Sequence, residues 1–250
     1  MIRKFLFFVL VLVSGGIYAQ NKTDAQGKKQ GVWTKYYPDG KTLVYTGQFK
    51  DDIPYGEFRY FYPTGKVKTI IRYEGKNRSY AWFYFESEKL LSEGFYIGMK
   101  KDSLWKTYNA EGYLLTTESF KNNKLNGEKR MYYIADQAET GAIKCSSIET
   151  YKDSVLNGPC YTFLSSGIKV NEGNYLNGLK EGVWKSFHAD GSLASKMKYK
   201  AGKAVGYSYA YDETGEEIYK AYWLNGEKLT NEERIKYFEM CSKKGIIPEE

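Results

Sequence analysis

Aromatic rings recur along this chain at intervals near 24 residues, separated by polar runs and glycines, and this periodicity organises everything else in the sequence. Aligned on starts at Gly31, Gly56, Tyr80, Ser103, Gly127, Gly158, Gly182 and Gly206, the units follow one another at spacings of 25, 24, 23, 24, 31, 24 and 24 residues. Five residues after each start stands a ring: Tyr36, Phe61, Phe85, Tyr108, Tyr132, Phe163, Phe187 and Tyr211. Seven residues before each following start stands a second: Phe49, Tyr73, Tyr96, Phe120, Tyr151, Tyr175 and Tyr199, with Tyr222 completing the column. Short aromatic and β-branched runs broken by turn residues are strand signals, and a fixed period in this range signals a repeat architecture. Pro38-Asp39-Gly40, Pro63-Thr64-Gly65, Ala189-Asp190-Gly191 and Glu213-Thr214-Gly215 form one set of turns. Asn126-Gly127, Asn157-Gly158, Asn177-Gly178 and Asn225-Gly226 are expected in the connections at the opposite edge. Each unit therefore reads strand, turn, strand, connection, and the expected fold is all-β: an elongated antiparallel sheet of about eight stacked β-hairpins, hence about sixteen strands.

The fifth unit is longer than the others, most of the extra residues falling in 134–140, where an insertion at a hairpin tip is expected to form a surface loop. After the last unit the period changes. Thr230 and Glu233 form a capping box, Ile235, Phe238 and Cys241 make an apolar stripe, and Lys243-Lys244 precede Gly245, so a helix is expected to close the stack across its last strand. At the other end, Arg3-Lys4, the apolar run from Phe5 to Val13 and Ala19 have the form of a cleavable signal peptide. The apolar run is too short to span a bilayer core of about 30 Å. The expected organisation is a signal peptide over 1–19, a linker over 20–30, the repeat domain over 31–228, and a capping helix and tail over 229–250. Export to the periplasm, the cell surface or the medium follows from it.

Composition adds the character of the surfaces. Aromatics make up 17% of the chain, Tyr alone supplying 25 residues. Tyr carries a flat ring and a hydroxyl, which suits surfaces that stay half wet better than a dry core. The net charge of +7 falls to +5 once Arg3 and Lys4 leave with the signal, and the lysines are spread evenly. That pattern is read as solubility and protection of strand edges, with no nucleic-acid partner. Cys145 and Cys160 are the nearest pair of the three cysteines, and with Cys160 expected opposite Tyr151 they lie too far apart on neighbouring strands to bridge. His188 stands near a turn without a nucleophilic companion, Gly40-Lys41-Thr42 lacks the first glycine and the helix of a phosphate loop, and no acidic pair has calcium-loop spacing. No enzyme, cofactor or metal site is expected.

The pattern Gly-x-Trp-x-x-Tyr-x-x-x-Gly over Gly31–Gly40, repeated with Phe as the second ring over Gly182–Gly191, resembles the bacterial variant of the MORN repeat, many of whose members carry an antitoxin-like label. The resemblance implies a twisted sheet of stacked hairpins. The chain departs from the pattern where Lys89 replaces a tip glycine and where Lys129, Cys160 and Ser208 replace the first aromatic. Trp33, Trp82, Trp105 and Trp184 share one phase, two residues after a start, opposite to the ring three residues later, and form the candidate binding row. The function read from these features is a binding or scaffold module for a protein or cell-envelope polymer; the alternative is an immunity-type protein that neutralises a toxin, and an enzyme acting on polysaccharide ranks last.

Overall fold

The structure is a computed structural model that describes residues 21–75 and 77–249; the expected signal segment, 1–19, lies outside them. Eight hairpins follow in chain order: β2 (Lys29–Tyr36) with β3 (Leu43–Lys50), β4 (Ile53–Phe61) with β5 (Val67–Gly75), β6 (Arg78–Tyr84) with β7 (Leu90–Ile97), and β8 (Lys100–Tyr108) with β9 (Leu114–Lys121). The other four are β10 (Lys124–Tyr132) with β11 (Cys145–Lys152), β12 (Val155–Phe163) with β13 (Lys169–Leu176), β14 (Leu179–Phe187) with β15 (Leu193–Lys200), and β16 (Lys203–Tyr211) with β17 (Glu217–Leu224). Two short strands extend the expected sixteen at the ends. Strand β1 (Lys22–Thr23), in what was expected to be linker, pairs with β2, and β18 (Glu227–Leu229) pairs with β17. All neighbours pair antiparallel in one 18-stranded sheet.

Both edges of the sheet explain why hairpins stack. On one edge, two-residue turns hold both residues at positive φ, as at Asn122-Asn123, Asn177-Gly178 and Asn225-Gly226. This is the type I′ geometry whose twist matches that of paired strands. One residue of these turns also donates its N–H to the preceding unit, as from Asn123 to Lys101 O at 2.9 Å, Ser154 to Leu125 O at 2.8 Å, and Gly202 to Lys180 O at 2.9 Å. On the tip edge, the Tyr37 hydroxyl donates to Phe61 O at 2.9 Å, Tyr62 to Tyr84 O at 2.8 Å, and Tyr133 to Phe163 O at 2.6 Å. His188 Nε2 makes the equivalent 2.9 Å bond to Tyr211 O, so the histidine serves as one of these stitches.

The register corrects several expectations. The first ring column ends each leading strand at Tyr36, Phe61, Tyr84, Tyr108, Tyr132, Phe163, Phe187 and Tyr211. Tyr84 therefore takes the place expected for Phe85, which begins the tip turn by donating its N–H to Lys89 O. The third unit is one residue short because its bulge falls at Gly75. Glu88, held at φ 68° and donating to Phe85 O, takes the tip-glycine position expected for Lys89. The second column ends at Trp223, which pairs with Gly206, in place of Tyr222. Gly127 and Gly158 sit inside β10 and β12 beside bulges, and the turns fall instead at Asn122-Asn123 and Asp153-Ser154. That bulge places Cys160 opposite Glu149, where Tyr151 was expected. All three cysteines are free.

The insertion in the fifth unit forms a helix, α1 (Ile134–Thr140), where a loop was expected. Its buried Gln137 accepts from Leu114 N and donates to Leu114 O, both at 2.8 Å, completing the backbone at the neighbouring tip. The C-terminal helix α2 (Asn231–Lys244) has the expected capping box at Thr230 and Glu233 and a left-handed Gly245. It folds back onto one face of the sheet, while β18 covers the last strand's edge. Phe238 packs on Tyr222 at 5.0 Å between ring centroids and Tyr237 on Tyr222 at 5.9 Å, whereas the expected contact residue Ile235 is 54% exposed. Tyr222, turned toward this helix, is among the few large side chains that are fully buried.

Candidate functional site

Strand alternation gives the sheet two different faces. The back face carries the first ring column and α2. The front face carries the second column and, in the leading strands, the phase three residues before the first ring. There the structure places Trp33, Phe58, Ala81, Trp105, Lys129, Cys160, Trp184 and Ser208. Trp82 is not among them. The short third unit puts it on the back face, paired with Glu93, 4.6 Å from Tyr80 and 5.2 Å from the Arg72 guanidinium. The structure therefore brings Trp33, Trp105 and Trp184 into one row and separates Trp82 from them.

Three rings of this phase lie flat on the preceding strand. Phe58 covers Gly47, Trp105 covers Gly94, and Trp184 covers Gly173, so closely that a Cβ built on any of these glycines would run into the ring. The indole N–H groups donate to backbone: Trp105 to Phe95 O at 3.0 Å, Trp184 to Asn174 O at 3.2 Å, Trp33 to Lys22 O at 3.2 Å. A lysine two residues before the start covers the outer side. Lys29 stands 4.8 Å from Trp33, Lys101 4.2 Å from Trp105, and Lys180 4.2 Å from Trp184. Each also reaches the second-column ring, at 4.7 Å for Phe49, 5.0 Å for Phe120 and 4.9 Å for Tyr199. At Trp105 and Trp184 glycine, ring and ammonium thus form a three-layer unit, and Trp105 is 2% exposed.

Where the ring is missing the glycine is missing too. Glu118 pairs with Lys129, their charged groups 3.5 Å apart, and Glu149 pairs with Cys160. The first pair fills the space with an ion pair. The second leaves a hollow of about 350 Å³ beside Trp184 and Tyr175, lined also by Ser147, Thr162, Asn171 and Lys180. Glu149 accepts a hydrogen bond from the Tyr151 hydroxyl at 2.7 Å, and burial together with this carboxylate pushes the Tyr151 phenol up to about 12. Burial, then Glu149, also raises the Cys160 thiol, which keeps it protonated. Asn171 donates to Thr162 Oγ1 at 2.9 Å. Ser147, 7% exposed, has a buried hydroxyl with no hydrogen-bond partner in the protein. An unpaired buried hydroxyl is costly, which sets Ser147 apart among the residues that line the hollow.

On the back face Glu93 is nearly enclosed. Tyr108 donates to it at 3.0 Å, Lys106 lies 3.4 Å away, and burial followed by the bond to Glu93 pushes the Tyr80 phenol up to about 12. Every group here is partnered within the sheet, and the cluster ties β6, β7 and β8 together. Among the described residues no group of His, Cys, Asp and Glu side chains is arranged to hold a metal ion, and no helix is long and apolar enough to cross a membrane.

The lysine-covered ring row and the hollow were only half legible in the sequence. Cys160 and Lys129 stand out as departures from the aromatic phase. The signal that finds their partners is a third column, two residues before the second rings, where Gly47, Gly94 and Gly173 precede units with a ring and Glu118 and Glu149 precede Lys129 and Cys160.

Such a molecule defines a class: a single-layer β-hairpin repeat protein whose units are sewn together at both edges. The family profile described as "MORN repeat variant" matches residues 29–51, 54–74 and 180–201. These three stretches of the chain carry repeats of that family. No curated relative matches its sequence. Two solved structures are similar in part. A crystal structure of a point mutant of S. aureus TarM in complex with fondaparinux, alpha-GlcNAc-glycerol and UDP is 17% identical over 46% of this chain and 19% of that one, with a TM-score of 0.27. A crystal structure of TarM is 18% identical over 49% and 20%, also with a TM-score of 0.27. This chain spans about a fifth of the length of those proteins.

Proposed function

We propose that this MORN-repeat protein is an exported, non-catalytic binding module whose front face meets a protein or cell-envelope partner at the hollow of the sixth unit. The repeats support a binding role, since stacked units present one extended surface assembled from the same phase of every hairpin. The observation that carries the location is the interruption of the glycine and ring row at Glu149 and Cys160, which opens the hollow, while the fifth unit fills the same position with the Glu118–Lys129 ion pair and the seventh keeps its ring at Trp184. Export rests on the basic and apolar residues of 1–19.

The test is capture of partners from an envelope fraction, identified by mass spectrometry, with the wild-type chain and a Glu149→Gly/Cys160→Trp variant. The double change rebuilds the pair seen at Gly173 and Trp184 and fills the hollow, giving up the bond from the Tyr151 hydroxyl to Glu149. A partner retained by the wild type and lost by the variant places the site there; equal capture by both moves it elsewhere. N-terminal sequencing of protein from the producing cells checks export: a start at Gln20 is expected, and a cytosolic product retaining Met1 would refute it.

A further inference from the structure

We infer that the hollow of the sixth unit is a binding site for one or two rings of a neutral carbohydrate. This deepens the function proposed above and rests on the hollow being the site. Its volume, about 350 Å³, lies at the small end of the ~300–1,000 Å³ range typical of small-ligand pockets. The polar groups facing it come from side chains, because the backbones of β11, β12 and β13 are already paired to their neighbours. An extended peptide, which binds a sheet through free main-chain groups, finds none on this surface.

The charge balance argues for a neutral ligand. The Lys180 ammonium is drawn over the rings of Trp184 and Tyr199, and Lys129 is held by Glu118, so neither cation stands free for a phosphate or a carboxylate. Glu149 adds a negative charge to the hollow, which repels an anion and accepts hydrogen bonds from hydroxyls. What remains is a set suited to a polyol: the Glu149 carboxylate, the Ser147 hydroxyl that lacks any partner, and the Thr162 hydroxyl and Asn171 amide joined to each other. Tyr175 and Trp184, edge to face at 5.0 Å, bound the same hollow with aromatic carbon. A pyranose presents both kinds of surface at once, hydroxyls around its rim and C–H groups on its faces. Each polar group then gains a partner and each ring gains apolar contact.

Isothermal titration of the full mature chain tests this with named probes: glucose, galactose, N-acetylglucosamine, and the disaccharides cellobiose, lactose and chitobiose, against glucuronic acid and inorganic phosphate as anions. At least one neutral sugar is expected to bind. Ser147→Ala should weaken that binding about tenfold, the loss of one hydrogen bond in a buried site, while leaving the melting temperature unchanged or raised. Glu149→Gly/Cys160→Trp should abolish it in a chain that still melts cooperatively. Three results overturn the inference: no neutral sugar binding at millimolar concentration, binding that survives the double variant, or binding of the anions alone. If sugars fail while envelope capture remains sensitive to the double variant, the hollow is a site for another chemistry. If capture is also insensitive, the site itself is misplaced.

Discussion

At the scale of single residues, stability in this sheet turns on pairs of unequal size. A flat ring on the front face needs a glycine beneath it, and the two are useful only together. Adding one methyl at Gly173 drives it into the Trp184 ring. Gly173→Ala should therefore cost about 1–3 kcal/mol, the range for overpacking a filled site, in chemical denaturation monitored by tryptophan fluorescence. The same change paired with Trp184→Ala should cost less than the two single losses added, because the clash disappears with the ring. Residues in the two-residue turns carry the opposite burden. Met99 holds a left-handed φ of 62° with its side chain 90% exposed, a geometry that L residues with a Cβ resist. Met99→Gly is expected to stabilise the chain by about 1 kcal/mol, relieving the Cβ contact against the extra entropy a glycine loses on folding. An unchanged or lowered denaturation midpoint would show that the exposed methionine contributes contacts that outweigh its backbone.

At the scale of elements, each hairpin is held by its neighbours, and the last one is held by α2. The tail after the helix is clamped from two sides. Glu249 accepts from Lys198 at 2.8 Å and Lys200 at 3.1 Å, while Tyr222 donates its hydroxyl to Glu249 O at 3.2 Å. Lys198, and then Lys200, hold the Glu249 carboxyl below its usual value of 4.5. A carboxylate with a depressed folded value contributes fully above its unfolded value and loses that contribution as pH falls through the folded one. Docking of the tail should thus be intact at neutral pH and loosen below about pH 4.5. Hydrogen exchange over residues 235–249, corrected for intrinsic rates, should rise across that interval more than exchange in β4 and β5. Glu249→Gln should be looser at pH 7 and should flatten the response. A tail whose protection is the same in the variant and at both pH values would show that the ring contacts of Tyr237 and Phe238 hold it alone.

At the scale of the whole molecule, the sheet has few fully buried large side chains, because a single layer lacks a second layer to close a core. Cohesion is instead distributed over nearest neighbours through ladder bonds, edge stitches and half-buried rings, as in other repeat proteins. With 18 strands at a spacing of about 4.8 Å, the sheet extends on the order of 80 Å along the stacking direction. Small-angle scattering of the mature chain should report an elongated particle; the profile of a compact sphere of this mass would contradict the open sheet.

What the amino-acid sequence determined by itself was everything that repeats. The 24-residue period, the alternation within strands, the tip glycines and the capping box at Thr230 are local, and each is enforced by backbone sterics or hydrogen bonding within a few residues. Tertiary structure decided what depends on register between neighbours. A bulge at Gly75 moved Trp82 to the back face, and another at Gly158 set Cys160 against Glu149. A one-residue shift reverses the facing of every side chain after it, so the length of a connection cannot be read from spacing alone. Gln137 in α1 and the turn of α2 onto Tyr222 were likewise set by backbone groups and rings on distant segments. The hollow belongs with these. It exists because Cys160 and Glu149 stand where other units have a ring and the glycine beneath it, and only the pairing of two strands shows that their positions coincide.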